Sequence, residues 1–306
     1  MIWPDGKQFA FTIFDDTDLA TAENLIEVYA FLADLGFRTT KSVWPLKGDK
    51  ESINMGATCE DPHYLDWLYR LKEGGSEIGY HLATYHTSNR AETIAGLDKF
   101  AGLFGTNPSS MSNHAGCEES IYWGSYRLTG ANQLLYNLLT RYRSTDRFRG
   151  HIEGDSLFWG DLCKERIKYT RNFVFPEINT LKACPFMPYH DPKRPFVNYW
   201  FASTEGPEIS SFNKIIAEEN QNRLQEEGGA CIMYTHLAQG FYYPDGLNRR
   251  FKILMQQISK RNGWFVPVNE LLDYLLEKNG HYVISKKEMM RLERKWLWHK
   301  ICHGSS

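Results

Sequence analysis

Phe9-Ala10-Phe11-Thr12-Ile13-Phe14-Asp15-Asp16-Thr17-Asp18 is the stretch whose reading decides the fold. Aromatic and β-branched side chains without polar alternation predict a buried strand over residues 9–14. The run then stops in Asp15, Asp16 and Asp18, and a helix-spaced set follows at Leu25, Ile26, Tyr29, Leu32 and Leu35 before Gly36. A strand, a polar turn and an amphipathic helix form one βα unit. The unit recurs: residues 38–43 read as a second strand, ahead of a helix with Asp61 as N-cap and Pro62 in its first turn that ends at Gly74-Gly75. Residues 77–81 read as a third strand, and Asn89 with Glu92 opens the next helix as a capping box, running to Phe104-Gly105. Three alternations in a row predict an α/β protein with a parallel sheet or barrel.

Residues 143–198 are less periodic, punctuated by glycines and prolines around one expected helix at 161–172. They read as an insertion within one domain. Regularity returns with a strand at 198–203, a helix at 211–227, a strand at 230–235, a helix at 247–262, a short strand at 264–266 and a helix at 269–278. There is no internal repeat. One domain over 1–280 is therefore expected, with an appendix at 281–306 whose helix is opened by a Ser285/Glu288 capping box.

The 306 residues carry 35 Lys+Arg against 37 Asp+Glu, a net charge of −2 that argues against a nucleic-acid binder working through a global basic field. Aromatic residues reach 14%, which suits a large core or flat walls for sugar rings or nucleobases. The six cysteines are scattered without a Cys-x-x-Cys pair, as expected of reduced, individually packed thiols. Apolar runs fall far short of a membrane span, and the first residues lack the features of a secretory signal, so the expectation is a cytoplasmic protein. Lys286, Lys287, Arg291, Arg294, Lys295 and Lys300 alternate with Met289, Leu292, Trp296, Leu297 and Trp298. Such a helix docks on its own domain or on a twin subunit more often than on an anionic membrane surface, and both a homo-oligomer and membrane contact stay open.

In parallel α/β folds the functional groups gather at the C-terminal ends of the strands. The first strand ends in Asp15, Asp16 and Asp18, the third in His81, the run 109–113 in His114, and the strand 230–235 in His236. Carboxylates and imidazoles sharing one rim form a ligand set for a divalent metal, with zinc the first choice. Asp18 reads either as a hydrogen-bond acceptor for a ligand histidine or as a cap of the first helix.

Thr12-Ile13-Phe14-Asp15-Asp16 resembles the first motif, Thr-Phe-Asp-Asp, of the polysaccharide deacetylase superfamily (carbohydrate esterase family four and relatives). Glu77-Ile78-Gly79-Tyr80-His81, with His86 after it, resembles the second, metal-binding motif, and Ile232-Met233-Tyr234-Thr235-His236 the last, Leu-x-His, with Tyr234 in the Leu position. The resemblance implies an irregular (β/α)7-type barrel and a metal-dependent hydrolase that removes acetyl groups from N-acetylated sugars. By the same resemblance Asp15 would be the general base, Asp16 and the second-motif histidines the metal ligands, and His236 the general acid. The family spacing is His-x3-His, whereas here four residues separate His81 from His86. Neither a helix nor a strand turns both toward one ion at that spacing, so residues 82–85 bend, or His114 supplies the third ligand. The Arg-x-Pro motif is missing where Asn113-His114-Ala115-Gly116 stands, and Asp-x-x-Asp-Trp finds only Asp191 and Trp200 as loose counterparts. Trp44, Tyr85, Trp123, Trp200 and Tyr242 are the candidates for stacking on a sugar. Two other readings stand beside the sugar deacetylase: an allantoinase-like hydrolase of a non-sugar amide, and a glycan-binding homologue without catalysis.

Overall fold

The computed structural model describes residues 3–52 and 54–303. Its strands are β1 (Phe9–Asp15), β2 (Thr40–Val43), β3 (Glu77–Tyr80), β4 (Ser110–Met111), β5 (Tyr169–Phe175), β6 (Tyr189–His190), β7 (Tyr199–Glu205), β8 (Ala230–Thr235), β9 (Tyr242–Tyr243), β10 (Gly246–Leu247), β11 (Gly263–Trp264) and β12 (Tyr282–Val283). Between and after them run α1 (Ala22–Asp34), α2 (Pro62–Glu73), α3 (Arg90–Phe104), α4 (Gly130–Leu139), α5 (Gly160–Arg166), α6 (Thr180–Ala183), α7 (Ile209–Ile215), α8 (Glu218–Glu227), α9 (Arg249–Ser259), α10 (Val268–Asn279) and α11 (Lys286–His303).

Strands β1, β2, β3, β4, β5, β7 and β8 pair in that order, each parallel to the next, and β8 returns to β1 to close a seven-stranded barrel. β1 and β8 are buried at every position, which is why both read as continuous apolar runs rather than alternating ones. The register fixes the rim. Asp15 pairs with both Lys41 and Thr235, Val43 with Tyr80, and Tyr80 with Met111, so β1, β2, β3, β4 and β8 end close to one level. Asp16, His81, Ser112 and His236 are the first residues beyond four of those ends.

Local chemistry places the helices. Thr21 and Asn24 form a capping box at α1, Asp61 Oδ1 accepts from Tyr64 N at 3.1 Å at α2, and Asn89 and Glu92 form the expected box at α3. α11 opens on the expected Ser285/Glu288 box: Ser285 N donates to Glu288 Oε2 at 2.9 Å, and Glu288 N donates to Ser285 Oγ at 3.3 Å. It packs on the barrel through buried Met289, Leu292, Trp296 and Leu297, with Trp296 5.6 Å from Phe173 of β5 and 5.8 Å from Tyr136 of α4. Among the described residues no helix is long and apolar enough to cross a membrane.

Three local expectations change. The helix expected at 161–172 stops at Arg166, and Tyr169–Phe175 is a barrel strand. The two aromatic ends of that segment, Phe173 and Val174 favour a strand, and with all seven residues buried no alternation marks it. The stretch read as an insertion thus supplies one wall of the barrel. The helix expected at 211–227 divides into α7 and α8 around Ile216 and Ala217, while α4 lies where no helix was expected.

Candidate active site

Three buried side chains meet above the rim: Asp18, His81 and His114, whose nearest donor atoms all lie within 4.8 Å of one another, the one such group among the described residues. Asp18 Oδ1 stands 3.4 Å from both His81 Nε2 and His114 Nε2. None of these three atoms has a hydrogen-bond partner although each is sealed from solvent. Orphaned polar atoms are costly when buried, and three converging on one point fit a group that bonds them all. The surroundings fix the imidazoles for this task. His81 Nδ1 lies 2.7 Å from Ser112 Oγ, which itself donates to Asp16 Oδ1 at 2.9 Å, so Nδ1 carries the proton and Nε2 presents a lone pair. His114 Nδ1 faces Cys117 Sγ at 3.3 Å; burial pushes that thiol's pKa well up, its S–H is directed to Thr84 O at 3.9 Å, and the sulfur accepts from Nδ1, leaving Nε2 with its lone pair. Two imidazole nitrogens and a carboxylate oxygen are a donor set that zinc and similar divalent ions take. Burial opposes ionisation of Asp18, but the imidazoles of His114, His236 and His81 outweigh it and hold the carboxyl well below the usual range.

Backbone geometry explains which histidine takes part. The chain turns sharply after His81, with Leu82 at φ 70°, and carries His86 away from the cluster. His86 Nε2 instead accepts from Asp49 N at 3.0 Å, and its Nδ1 faces Thr87 O at 2.9 Å. His114, rather than His86, joins Asp18 and His81 in the cluster. Its ring needs Gly116 beside it, since a Cβ there would sit 2.9 Å from His114 Cε1.

The carboxylates of the first strand have separate environments. Asp15, expected as the base, is saturated away from the cavity: Lys41 Nζ lies 2.9 Å from Oδ2, Tyr29 hydroxyl donates to Oδ2 at 2.8 Å, and Leu237 N donates to Oδ1 at 2.7 Å. Asp16, expected as a ligand, stands outside the three-residue cluster and lines the cavity in a bidentate pair with Arg171, whose Nη1 and Nη2 reach Oδ1 and Oδ2 at 2.9 and 2.5 Å. Burial works against its ionisation, yet Arg171 and then His81 and His236 hold its pKa below the ordinary value. The chain reads Thr-Ile-Phe-Asp-Asp, with one residue more between Thr and Phe than the Thr-Phe-Asp-Asp pattern. Arg171 went unnoticed because it sits on β5, hidden in the segment read as helix.

His236 lies across the cavity. Its Nδ1 donates to Pro207 O at 2.9 Å, leaving Nε2 to face Asp18 Oδ2 at 3.2 Å. Burial lowers its pKa, but Asp18 and Asp16 together overcome this, so the imidazole holds a proton more readily than a free one. The cavity encloses about 440 Å³. Its lining is rich in cations: Arg127, Arg147, Arg171 and Lys300 stand against two carboxylates, Asp16 and Asp18. Burial, and secondarily Arg171, brings Arg127 down to about 9, with Tyr136, Tyr234 and Glu205 opposing. Of the aromatic candidates, Trp123 lines the cavity and carries Arg127 on its face. Trp44 is buried behind the histidines, 5.7 Å from His81 and 5.6 Å from His114, with Tyr85 packed on it. Trp200 is enclosed in the core, and Tyr242 lies outside the cavity lining.

No protein-family model and no curated protein matches this sequence. Solved structures do match. One from Mycobacterium smegmatis, described as a polysaccharide deacetylase, is 12% identical with a TM-score of 0.52, the match covering 94% of this chain and 96% of that one. Another of the same description, from Pseudomonas aeruginosa PAO1, is 10% identical with a TM-score of 0.52 over 92% and 94% of the two chains. With its closed seven-stranded barrel, this chain has the fold of the polysaccharide deacetylases.

Proposed function

We propose that the protein is a metal-dependent hydrolase that removes the acetyl group from an N-acetylated sugar. The observation that carries this reading is the convergence of Asp18 Oδ1, His81 Nε2 and His114 Nε2, buried and without hydrogen-bond partners, on the floor of an open cavity. These residues would hold the ion. A divalent metal in such a site supplies Lewis-acid polarisation of the acyl oxygen and lowers the pKa of water toward ~7.

The remaining roles fall to groups around it. Asp16, ionised and fixed by Arg171 and Ser112, accepts a proton from the attacking water at a carboxylate oxygen. His236, anchored through Nδ1 to Pro207, donates from Nε2 to the departing sugar amine. Asp15 does neither, since its contacts are with Lys41, Tyr29 and the Leu237 amide; it ties β1 to β2 and α1. Trp123 and the cationic lining orient the rest of the substrate.

The test is acetate release from N-acetylglucosamine oligomers by metal-stripped protein before and after zinc is added, with allantoin as a parallel substrate. Zinc-dependent release of acetate is expected. Hydrolysis of allantoin alone would favour the non-sugar amidohydrolase, and stoichiometric zinc uptake with neither activity would favour a binding protein.

A further inference from the structure

Helix α4 breaks the rule that a surface helix turns its apolar stripe inward. Its one buried large side chain is Tyr136, whereas Leu134 and Leu138 are each 56% exposed, and Leu135 and Leu139 are exposed beside them. At spacings of one, three and four residues these leucines form a single outward stripe, and exposed Tyr142 follows. The neighbouring helix adds to it. α11 is bound to α4 by the Tyr136–Trp296 contact and by Asn132 Nδ2, which donates to Glu293 Oε2 at 2.8 Å; it exposes Trp298, at 65%, and Ile301. Large apolar side chains exposed on two touching helices mark a partner.

Charge identifies the partner. From Gly130 to Thr145 there is no acidic residue, and Arg141, Arg143 and Arg147 succeed the leucines. A groove lined by Leu139, Arg141, Arg143 and Lys300 runs beside α4 and shares Tyr136, Ser144 and Lys300 with the wall of the catalytic cavity. The acidic groups on this side are few: exposed Asp146 accepts from the Tyr126 hydroxyl at 3.1 Å, Glu205 lies near Arg127 and Lys300, and Glu177 is held by Lys295. A second copy docking by two-fold symmetry would bring a second set of Arg141 and Arg143 into the same interface, adding cations to a surface with few carboxylates to meet them. A bilayer offers apolar depth to the leucines and Trp298, and phosphates to the cations at their edge.

We propose that the exposed face of α4 and α11 docks on a bilayer bearing anionic headgroups, with the mouth of the cavity turned toward the membrane plane. This surface stands independently of the hydrolase reading, because none of its leucines touches the proposed metal ligands.

The experiment is sedimentation of the full chain with vesicles of phosphatidylcholine alone and with 30 mol% phosphatidylglycerol (about one anionic lipid in three, enough to set up a negative surface potential). Wild type should bind the anionic vesicles, and Leu134→Glu with Leu138→Glu should weaken binding by about tenfold or more while leaving the Tm and zinc content unchanged. Arg141→Glu with Arg143→Glu should abolish the preference for anionic lipid. If the leucine pair proved unstable, Trp298→Ala on the other helix would carry the same test with a smaller expected loss. Absence of wild-type binding, or binding indifferent to these substitutions, would overturn the proposal. So would a concentration-dependent dimer, seen by ultracentrifugation, that Leu138→Glu dissolves, since the second copy would then be the occupant.

Discussion

Asp16 and Asp18 are two residues apart, yet their surroundings assign them different chemistry. Asp18 faces imidazoles whose lone pairs point at it, whereas Asp16 faces a guanidinium that satisfies both its oxygens. Asp18→Ala should therefore abolish stoichiometric zinc uptake. Asp16→Asn should retain zinc and lose turnover by ~10²-fold or more, the usual scale for a general base. Element analysis and acetate release on both variants check this, and loss of zinc from Asp16→Asn would return Asp16 to the ligand set. Arg171→Met makes a second demand. With the guanidinium gone, burial governs Asp16 and its pKa rises, so the acid limb of the rate profile should move to higher pH; an unmoved limb would exclude Asp16 as the titrating base. Gly116 is a third case. Gly116→Ala brings a methyl within 2.9 Å of the His114 ring and should weaken zinc affinity measurably, by competition with a chelating dye, while the barrel stays folded.

At the level of elements, α11 does for the barrel what its sequence advertises. Trp296 is buried between β5 and α4, and Trp296→Ala should destabilise the protein by about 3–5 kcal/mol, read from urea unfolding. A loss below ~1 kcal/mol would mean that the helix merely rests on the surface. Elements with local signals were the legible ones: Asp61, Asn89 with Glu92, and Ser285 with Glu288 all cap where the sequence placed them. β5 was hidden for a physical reason, since a strand buried on both faces keeps no period-two pattern and here follows a short helix without an obvious stop. The site inherits that difference. His81, His114 and His236 were readable as strand-end residues, and Trp123 as a loop aromatic at the cavity. Arg171 was not, and the separate surroundings of Asp15, Asp16 and Asp18 come from partners far off in sequence: Lys41 and Tyr29 for the first, Arg171 for the second and the three histidines for the third.

Over the whole molecule, the balance of titrating groups sets the pH at which the fold is strongest. Burial raises Glu77 to about 7 and Glu119 to about 8, and a carboxyl raised in the folded state binds its proton there before the unfolded chain does. Each therefore lowers stability as pH climbs from the ordinary carboxyl range through its folded pKa, by at most about 1.4 kcal/mol per pH unit. His151, which burial brings down to about 4, acts oppositely: between that value and an ordinary imidazole pKa the unfolded chain holds the extra proton, and stability grows with pH. Asp16 and Asp18, depressed in the fold, contribute stability that is full above the normal Asp pKa and disappears in acid. Below an ordinary imidazole pKa the buried glutamates and His151 pull against each other, while above neutrality Glu119 is still losing ground without His151 to offset it. Metal-free protein in a chelator should accordingly lose unfolding free energy by about 1 kcal/mol per pH unit from the ordinary carboxyl range toward neutrality, since two glutamates oppose one histidine, fall by about 1 kcal/mol more from pH ~7 to ~8, and collapse in strong acid. Glu119→Gln keeps the shape of the side chain without the charge and should remove most of the alkaline fall. Were the variant to decline as steeply as wild type in urea titrations across this range, the burial of Glu119 would not be what limits the molecule's stability above neutral pH.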